Sequence, residues 1–374
     1  MSRARAEVNL AAIAGNLKFV KGKTKSQVLA VVKADAYGHG LVAVAKAAEE
    51  AGADWLGTAL LEEAISLRNG GITKPIIAWL TPQGEDFKTA VNLDIDLSVS
   101  SVELLSEIAA AGKAISKVPR VHIELDTGMS RGGFGDELDT VISEIASQVK
   151  SGAVKVIGIW SHFARADEPG SAMNQSQLSR FNTRVEQLKN AGISSEYLHL
   201  ANSAASLANP DAHKNIIRWG IGLYGLSPDV NNMGSSSDLG IKSAMKLFSK
   251  LQLVKAVKAG QSVGYGSTAT TKVDTKLGVV TMGYADGIPR NASDLAGVFV
   301  AGKRAPLIGR VSMDQFVVDL GAASLAKTGD EVIVFGDGSG GEYTIDEWAK
   351  ACGTINYEIV TRIGVRVPRI YSRE

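Results

Sequence analysis

The chain has 374 residues and a formal net charge of +1, from 40 Lys plus Arg against 39 Asp plus Glu. This balance gives no electrostatic reason to expect nucleic acid or an anionic membrane as a partner, and a hydrophobic share of 45% excludes global disorder. The lone Cys352 excludes an intramolecular disulfide framework and a cysteine-cluster metal site.

Between about residues 27 and 220, short apolar runs alternate with longer Ala/Leu-rich stretches of helical spacing. Continuous apolar runs are typical of parallel strands that are buried on both faces. The runs are Val28–Ala34, Asp54–Ala59, Pro75–Leu80, Ile95–Val99, Val121–Leu125, Val156–Phe163, Tyr197–Ala201 and Asn215–Trp219. The helices expected between them include Leu41–Ala51, Glu62–Asn69, Val102–Ala111, Glu137–Gln148 and Gln175–Ala191. Eight such units predict an α/β fold with an N-terminal (β/α)8 barrel, an open doubly wound sheet being the alternative.

The alternation of apolar runs and helical stretches ends near residue 229. The polar segment Asp229–Gly240 is expected to be a loop or linker. Strand-like runs separated by Gly, Asp and Pro turns follow it, with one convincing helix at Ile345–Cys352. The strand-like runs are Leu247–Val257, Leu277–Met282, Gly297–Ala301, Gln315–Leu320, Glu331–Phe335 and Gly364–Ile370. The sequence therefore predicts a barrel over residues 1–235 and a mostly antiparallel β domain over 236–374, with residues 1–10 as a candidate extra strand of that β domain.

No apolar signal segment follows the first residues, and no run of about 18 apolar residues occurs. We therefore expect a cytoplasmic protein without membrane spans.

Polar residues follow several of the predicted barrel strands. The active site of such a barrel forms at the carboxyl ends of its strands, so we expect these side chains to converge there. They include Lys33, Tyr37 and His39 in or beyond the end of the first run, Asp126 and Arg131 beyond the fifth, His162 near the end of the sixth, His199, Asn202 and Ser203 in or beyond the seventh, and Arg218 in the eighth.

Lys33 is the sharpest signal, because it closes the apolar run Val-Leu-Ala-Val-Val, where an unpaired lysine is costly. A desolvated lysine beside other cations loses its proton more easily and can form a Schiff base with a carbonyl compound. The alternative is a strand-end lysine whose ammonium reaches solvent.

The context of Lys33, Val32-Lys-Ala-Asp-Ala-Tyr-Gly-His-Gly40, resembles the cofactor-lysine motif of the alanine racemase family. Further motifs follow in that family's order and spacing over nearly the whole chain. They are Thr127–Arg131, Ser161–Phe163, Ala201–Ala204, Arg218–Ile221, Val263–Gly266, Gly283–Gly287, Ser312–Gln315 and Thr354–Tyr357. The resemblance implies a barrel with a C-terminal β domain, a homodimer with shared active sites, and pyridoxal 5'-phosphate as the cofactor.

Carried over residue by residue, the resemblance implies that Lys33 holds pyridoxal phosphate covalently and that Arg218 faces the pyridine nitrogen. A guanidinium does not readily give up a proton, so the ring nitrogen would stay unprotonated. The other implied cofactor-binding residues are Tyr37, His162, Asn202, Ser203, Gly220, Ile221 and Tyr357. The alternative for Arg218 is an ion pair at the barrel rim.

Racemisation requires a proton to leave one face of Cα and another to arrive on the opposite face, which two acid/base groups can provide. Lys33 would serve one face, and the family places the second base at Tyr265, contributed by the other subunit. The implied substrate-binding residues are Arg131, Met313, Asp314 and Tyr284. His199 is expected in the supporting layer, and His39, His122 and His213 are expected to be structural or exposed, with no metal site among them.

One position departs from the family's common pattern. Many relatives carry a carbamylated lysine two residues before the Asp of the Asp-Thr-Gly-Met run, where this chain has Glu124. Our hypothesis is that Glu124 orients Arg131, directly or through water. The alternative is a barrel-interior glutamate with another partner.

The leading prediction is therefore an isomerase that interconverts L-alanine and D-alanine, supplying D-alanine for peptidoglycan. Two alternatives remain: a pyridoxal-phosphate amino-acid decarboxylase of the same architecture, and a pyridoxal-phosphate-binding protein without turnover. The second would usually be a barrel alone, so the long C-terminal segment that carries Tyr265 argues against it.

Overall fold

The computed structural model describes residues 2–373, and its centre is a closed barrel of eight parallel strands. The strands are β2 (Gln27–Val31), β3 (Trp55–Leu60), β4 (Ile76–Leu80), β5 (Ile95–Val99), β6 (Arg120–Glu124), β7 (Lys155–Trp160), β8 (Tyr197–His199) and β9 (Ile216–Trp219). Each strand pairs with the next in sequence, and β9 closes the ring against β2. The predicted barrel is confirmed, and all eight predicted strands are present.

Helices lie between successive barrel strands. They are α2 (Lys33–Tyr37), α3 (Leu41–Glu50), α4 (Leu61–Asn69), α5 (Phe87–Asn92), α6 (Val102–Ala114), α7 (Leu138–Lys150), α8 (Ala172–Asn190) and α9 (Ser203–Ala208). The short α5 was not among the predicted helices. Its six residues contain too few turns for a helical periodicity to show in the sequence.

Segment α2 is a left-handed turn rather than an ordinary α-helix. Four consecutive residues, Ala34 to Tyr37, have φ between 51° and 55°. This conformation costs about 1–2 kcal/mol per L-residue, so neighbouring contacts must hold it. The Asp35 carboxylate accepts a hydrogen bond from the Leu41 N–H at 2.8 Å, and Ala36 and Tyr37 are buried. The turn fixes the direction of the chain immediately after Lys33.

The second sheet is organised around the long strand β10 (Met245–Val257), which follows two one-turn helices, α10 (Val230–Met233) and α11 (Ser236–Leu239). The strands after β10 are β11 (Ser262–Val263), β12 (Ala269–Thr270), β13 (Thr275–Val280), β14 (Gly297–Val300), β15 (Lys303–Pro306), β16 (Phe316–Asp319), β17 (Glu331–Phe335) and β18 (Arg369–Ser372). Helices α12 (Ile345–Cys352) and α13 (Asn356–Thr361) lie between β17 and β18. All pairings among the strands from β10 to β17 are antiparallel, which confirms the predicted β domain.

The amino-terminal strand β1 (Arg5–Asn9) belongs to this second sheet, although helix α1 (Leu10–Lys21) follows it directly and packs beside the barrel. It pairs antiparallel with β10 and parallel with β18. The two ends of the described chain therefore meet in one sheet.

Three local predictions were wrong. The expected loop Asp229–Gly240 contains α10 and α11, because the side chains of Asp229 and Ser235 cap these one-turn helices. The strand predicted at Gly364–Ile370 begins only at Arg369, directly after Pro368, which has no N–H to donate to a sheet. Helix α13 was missed because six residues give little periodicity.

A buried carboxylate ties the amino-terminal segment to the β domain. Asp286 is fully buried and accepts hydrogen bonds from the Arg3 guanidinium and from the Gly283 N–H at 3.0 Å. The Arg366 Nε lies 3.4 Å from the same carboxylate. These contacts hold a 3₁₀ turn, Tyr284–Asp286, whose Tyr284 N–H donates to the Ser312 carbonyl.

We expect Asp286→Ala to lower the free energy of unfolding by about 1–3 kcal/mol, since the Gly283 N–H and the partly exposed Arg3 guanidinium lose their buried acceptor. Urea denaturation followed by circular dichroism measures the change. Asp294→Ala, at an exposed position, is the matched control. A loss below about 1 kcal/mol would show that Arg3 and Arg366 are adequately solvated without Asp286.

No helix among residues 2–373 is both long and apolar enough to cross a membrane.

Candidate active site

The carboxyl ends of the barrel strands bring Lys33 together with two arginines. Lys33 is two residues beyond the end of β2 and is half-buried. Its pKa is lowered from the usual lysine value, first by burial and then by the positive charges of Arg131 and Arg218. A lysine in this environment gives up its proton more readily and becomes a better nucleophile.

The terminal nitrogens of Arg218, on β9, donate only to neutral acceptors. Its two terminal nitrogens donate to the backbone carbonyls of His199 (2.8 Å), Ser161 (2.8 Å) and Leu200 (3.0 Å) and to Nδ1 of His162 (3.1 Å). Burial lowers its pKa to about 9, so the group still carries its charge at neutral pH. Among the described residues, its Nε–H alone has no acceptor, so this donor is available to a ligand.

His162 and Glu124 are two further titratable residues near Arg131 and Arg218. The pKa of His162 is well below the usual value, because of burial and then the charges of Arg218, Arg131 and Lys33, so its imidazole is neutral and can accept from Arg218. Glu124, the last residue of β6, is half-buried, and burial raises its pKa to about 7 despite the charges of Arg131 and Arg218. Within the described chain, Glu124 makes no direct ion pair with Arg131.

The loop after β9 forms a cradle with the first turn of α9. Ser203 Oγ accepts hydrogen bonds from the N–H groups of Gly220 (2.9 Å) and Gly222 (3.3 Å). A Cβ on Gly220 would come within 2.9 Å of the Tyr37 hydroxyl and 3.8 Å of Ser203 Oγ, so only glycine leaves this space open. Because Ser203 Oγ accepts both of these bonds, its own O–H is left to donate, which suits an anionic group such as a phosphate.

Tyrosine rings form one wall beside the cradle. The Tyr37 ring lies 4.7 Å from that of Tyr224 and 6.1 Å from that of Tyr357, between ring centroids. Burial raises the pKa of Tyr37 and Tyr357 far above the ordinary phenol value. Both phenols therefore remain protonated and can donate.

Two further predicted residues are close to the cradle. Asn202 uses its side chain to accept from the Ala205 N–H at 3.0 Å and so caps α9, which fixes the position of Ser203. Ile221 is buried and begins the 3₁₀ turn Ile221–Tyr224.

The remaining predicted residues lie on the β domain and face solvent in the single chain. Tyr265 is 67% exposed, Met313 is 54% exposed and Tyr284 is 42% exposed, while the exposed Asp314 pairs with Arg366 at 2.7 Å. No hydrogen bond, ion pair or ring contact among residues 2–373 joins these four to Lys33. The barrel, with Tyr357 of α13, thus brings the predicted cofactor-binding residues together, whereas the four exposed β-domain residues have no such contact with Lys33 within one chain.

The backbone on both sides of Tyr265 packs closely against Arg310. Tyr265 begins a 3₁₀ turn between Gly264 and Gly266, which have φ of 73° and 74°. A Cβ on either glycine would come within 3.1 Å of an atom of Arg310. The loop therefore presents the phenol on a defined turn rather than on a free segment.

Sequence reasoning missed part of the barrel interior. Asp96, on β5, is buried and accepts from His122 Nε2 at 3.0 Å, and His122 Nδ1 lies 2.9 Å from His199 Nε2. A carboxylate within the run Ile-Asp-Leu-Ser-Val was the available signal, since an acidic residue inside a strand buried on both faces needs a partner.

Comparison with known proteins agrees with this geometry. The family model "Alanine racemase, N-terminal domain" matches residues 8–228, and the model "Alanine racemase, C-terminal domain" matches residues 244–371. The chain belongs to the alanine racemase family. The alanine racemase of Salinispora arenicola is 44% identical over the full length of both chains, and that of Frankia casuarinae is 47% identical over 92% of this chain and 89% of its own.

Solved alanine racemases have the same fold. The crystal structure of alanine racemase from D-cycloserine-producing Streptomyces lavendulae has a TM-score of 0.97 and 44% identity, covering 100% of this chain and 97% of its own. Alanine racemase from Streptomyces coelicolor A3(2) has a TM-score of 0.96 and 44% identity, with coverage of 100% and 98%.

The raised pKa of Glu124 predicts a pH-dependent contribution to stability. The folded chain binds this proton up to about pH 7, whereas an unfolded glutamate releases it near pH 4.5. Glu124 therefore favours folding below pH 4.5, and this contribution declines as the pH rises to about 7. Glu124→Gln should gain stability relative to the parent chain across that interval, by up to about 3 kcal/mol.

Thermal denaturation at pH 5, 6, 7 and 8 measures this difference. The exposed Glu103→Gln serves as the control. A constant offset between Glu124→Gln and the parent over the whole range would mean that Glu124 is ionised throughout.

Proposed function

We propose that this family member interconverts L-alanine and D-alanine with pyridoxal 5'-phosphate as its cofactor. The observation that carries the proposal is the Lys33 amine, whose pKa is lowered by burial beside Arg131 and Arg218, at the same barrel end as the glycine cradle. The relatives named above are alanine racemases, which supports alanine as the substrate.

The residues present fit the cofactor at each of its polar groups. The Ser203 hydroxyl, which accepts from the Gly220 and Gly222 N–H groups and keeps its own proton to donate, and the space beside Gly220 suit the phosphate. The free Nε–H of Arg218 suits the pyridine nitrogen as a hydrogen-bond donor. Lys33 supplies the amine for the aldehyde, and Tyr37, His162, Asn202, Ile221 and Tyr357 line the same region in this proposal.

When bound, the cofactor supplies an electron-withdrawing system that acidifies Cα of the amino acid. The chain's own residues then exchange the proton. Lys33 would hold the cofactor through its amine and, in its neutral form, would take or return a proton at one face of Cα. Arg218 keeps its own proton, so the ring nitrogen would stay unprotonated. The cofactor would then withdraw electrons from Cα less strongly.

The opposite face of Cα needs a second acid/base group. We assign it to Tyr265 of a second subunit, so that the β domain (residues 236–374 with 1–10) completes the barrel site of its neighbour in a homodimer. The exposure of Tyr265, Tyr284 and Met313 in the single chain supports this assignment, since a partner can cover them.

Substrate selection follows from the same arrangement. We assign Arg131, together with the Met313–Asp314 segment of the second subunit, to the side of the substrate carboxylate. Tyr284 and Tyr357 would narrow the entrance for a small side chain. Glu124, without a direct ion pair to Arg131, would act on that arginine through water or at longer range. No partner other than substrate and a second copy is proposed, and the proposed location is the cytoplasm.

A paired assay tests the reaction class. The purified protein with pyridoxal phosphate should convert L-alanine into D-alanine, scored by chiral chromatography, with L-serine as the comparison substrate. Release of carbon dioxide without the D-isomer would instead identify a decarboxylase. Cofactor binding without either product would identify a binding protein.

A further inference from the structure

The barrel interior contains a continuous line of buried polar side chains. Asp96 is on β5, His122 on β6, His199 at the end of β8 and Arg218 on β9, and each is at most 4% exposed. The links are 3.0 Å from Asp96 to His122, 2.9 Å from His122 to His199, and 3.4 Å from His199 Nδ1 to Arg218. Such interiors are ordinarily filled by branched aliphatic side chains, so this line calls for an explanation.

The two ends of the line determine where every proton sits. Arg218 can only donate, so the Nδ1 of His199 that faces it must accept. His199 is neutral, since burial and then the nearby His122 and Arg218 hold its pKa well below the usual value. Its single proton is therefore on Nε2 and is donated to Nδ1 of His122.

The bond from His199 also determines the tautomer of His122. Because its Nδ1 accepts from His199, its proton is on Nε2, which donates to the Asp96 carboxylate. A protonated Asp96 that donated to His122 would reverse each bond in turn and place an N–H of His199 against an N–H of Arg218. The pKa of Asp96 is lowered overall by its bonds to His122 and Arg120, which outweigh its burial.

Arg120 anchors the far end of the line. It is the first residue of β6, at the end of the barrel opposite Glu124, and donates to Asp96 from Nε at 2.6 Å and from Nη2 at 3.0 Å. Both oxygens of Asp96 thus accept from Arg120, and one also accepts from His122. All donors along the line point toward Asp96, which makes the line directional.

We infer that Asp96 and His122 are positioning residues that act through His199 to hold Arg218 as a charged donor toward the ring nitrogen of the cofactor. This inference rests on the proposed function. The line keeps the acceptor nitrogen of His199 turned toward Arg218, so one terminal nitrogen of the guanidinium stays engaged and its Nε–H stays free for the ligand. Asp96 sets the direction of these hydrogen bonds from the opposite end of the barrel.

A cycle of protein variants and cofactor analogues tests the inference. In Asp96→Asn, an amide N–H must oppose either Arg120 or His122, which both donate. The dissociation constant is measured by absorbance titration, after exchange of the cofactor, for pyridoxal phosphate and for its analogue with CH in place of the ring nitrogen. We expect Asp96→Asn to raise the constant about tenfold for pyridoxal phosphate, as expected for one hydrogen bond to a charged group, and less than about twofold for the analogue.

His122→Phe, which keeps the ring volume but removes the acceptor for His199, should give the same pattern if Asp96→Asn folds poorly. His213→Asn, a histidine outside the line, is the matched control and should change neither constant. If the dissociation constants of both cofactors rose equally, the four residues would only support the fold, and the inference would be wrong. If neither constant rose, the inference would also be overturned.

Nitrogen-15 NMR of histidine provides a readout that does not depend on the cofactor. The chain has five histidines, so single substitutions assign every signal. His122 and His199 should both be neutral and protonated at Nε2 in the parent chain, and Asp96→Asn should give a mixed or reversed tautomer at His199. A proton on Nδ1 of His199 in the parent would contradict the inference. Failure of the parent to bind pyridoxal phosphate would instead contradict the proposed function, and this measurement would still test the polarity of the line.

Discussion

Lys33→Ala should lower the rate of alanine racemisation by about 10³-fold or more. The variant removes both the amine that holds the cofactor and the acid/base group for one face of Cα, and each contribution alone is large. The initial rate of D-alanine formation from L-alanine, at saturating cofactor, measures the effect. Lys113→Ala, an exposed lysine near the end of α6, is the control and should keep the parent rate.

Borohydride reduction separates the two roles of Lys33. In the parent chain, reduction should bleach the yellow colour and leave a pyridoxyl group on the peptide that contains Lys33. In Lys33→Ala that modified peptide should be absent, although cofactor can still occupy the cradle. A pyridoxyl group on another lysine of the parent chain would show that Lys33 has been assigned wrongly.

Tyr265→Phe should lower the racemisation rate by about 10²–10⁴-fold, the range for loss of one positioned acid/base group. Exchange of the Cα proton at the face served by Lys33 should persist, since that group is intact. Loss of the Cα hydrogen to deuterium without formation of the opposite isomer is therefore the expected signature. Tyr197→Phe, a half-buried tyrosine on β8, is the control.

Mixed dimers test which chain supplies Tyr265. If each site combines Lys33 of one subunit with Tyr265 of the other, a hybrid of Lys33→Ala and Tyr265→Ala subunits has one intact site of two. Random mixing makes half of the dimers hybrids, so about a quarter of the parent activity should return. Recovery near zero would place both groups in the same subunit.

The barrel could be predicted from the sequence because strands buried on both faces consist of uninterrupted runs of apolar residues. Lys33 and Arg218 could be assigned to one site because the ends of parallel strands share one edge. Asp96 and His122 could not be connected in this way, since they lie on neighbouring strands and their pairing depends on the register between β5 and β6. The left-handed turn after Lys33 was also beyond prediction, because residues such as Ala34 and Ala36 do not favour positive φ on their own.

The placement of β1 has a consequence for biosynthesis. Strand β1 leaves the ribosome well before its partner β18, which lies some 360 residues later, since the strands span Arg5–Asn9 and Arg369–Ser372. At about 5–20 residues per second, translation leaves that edge open for on the order of 20–70 s. An open edge can recruit strands from other nascent chains, so we expect the amino-terminal segment to be the part of the newborn polypeptide that most needs chaperone protection.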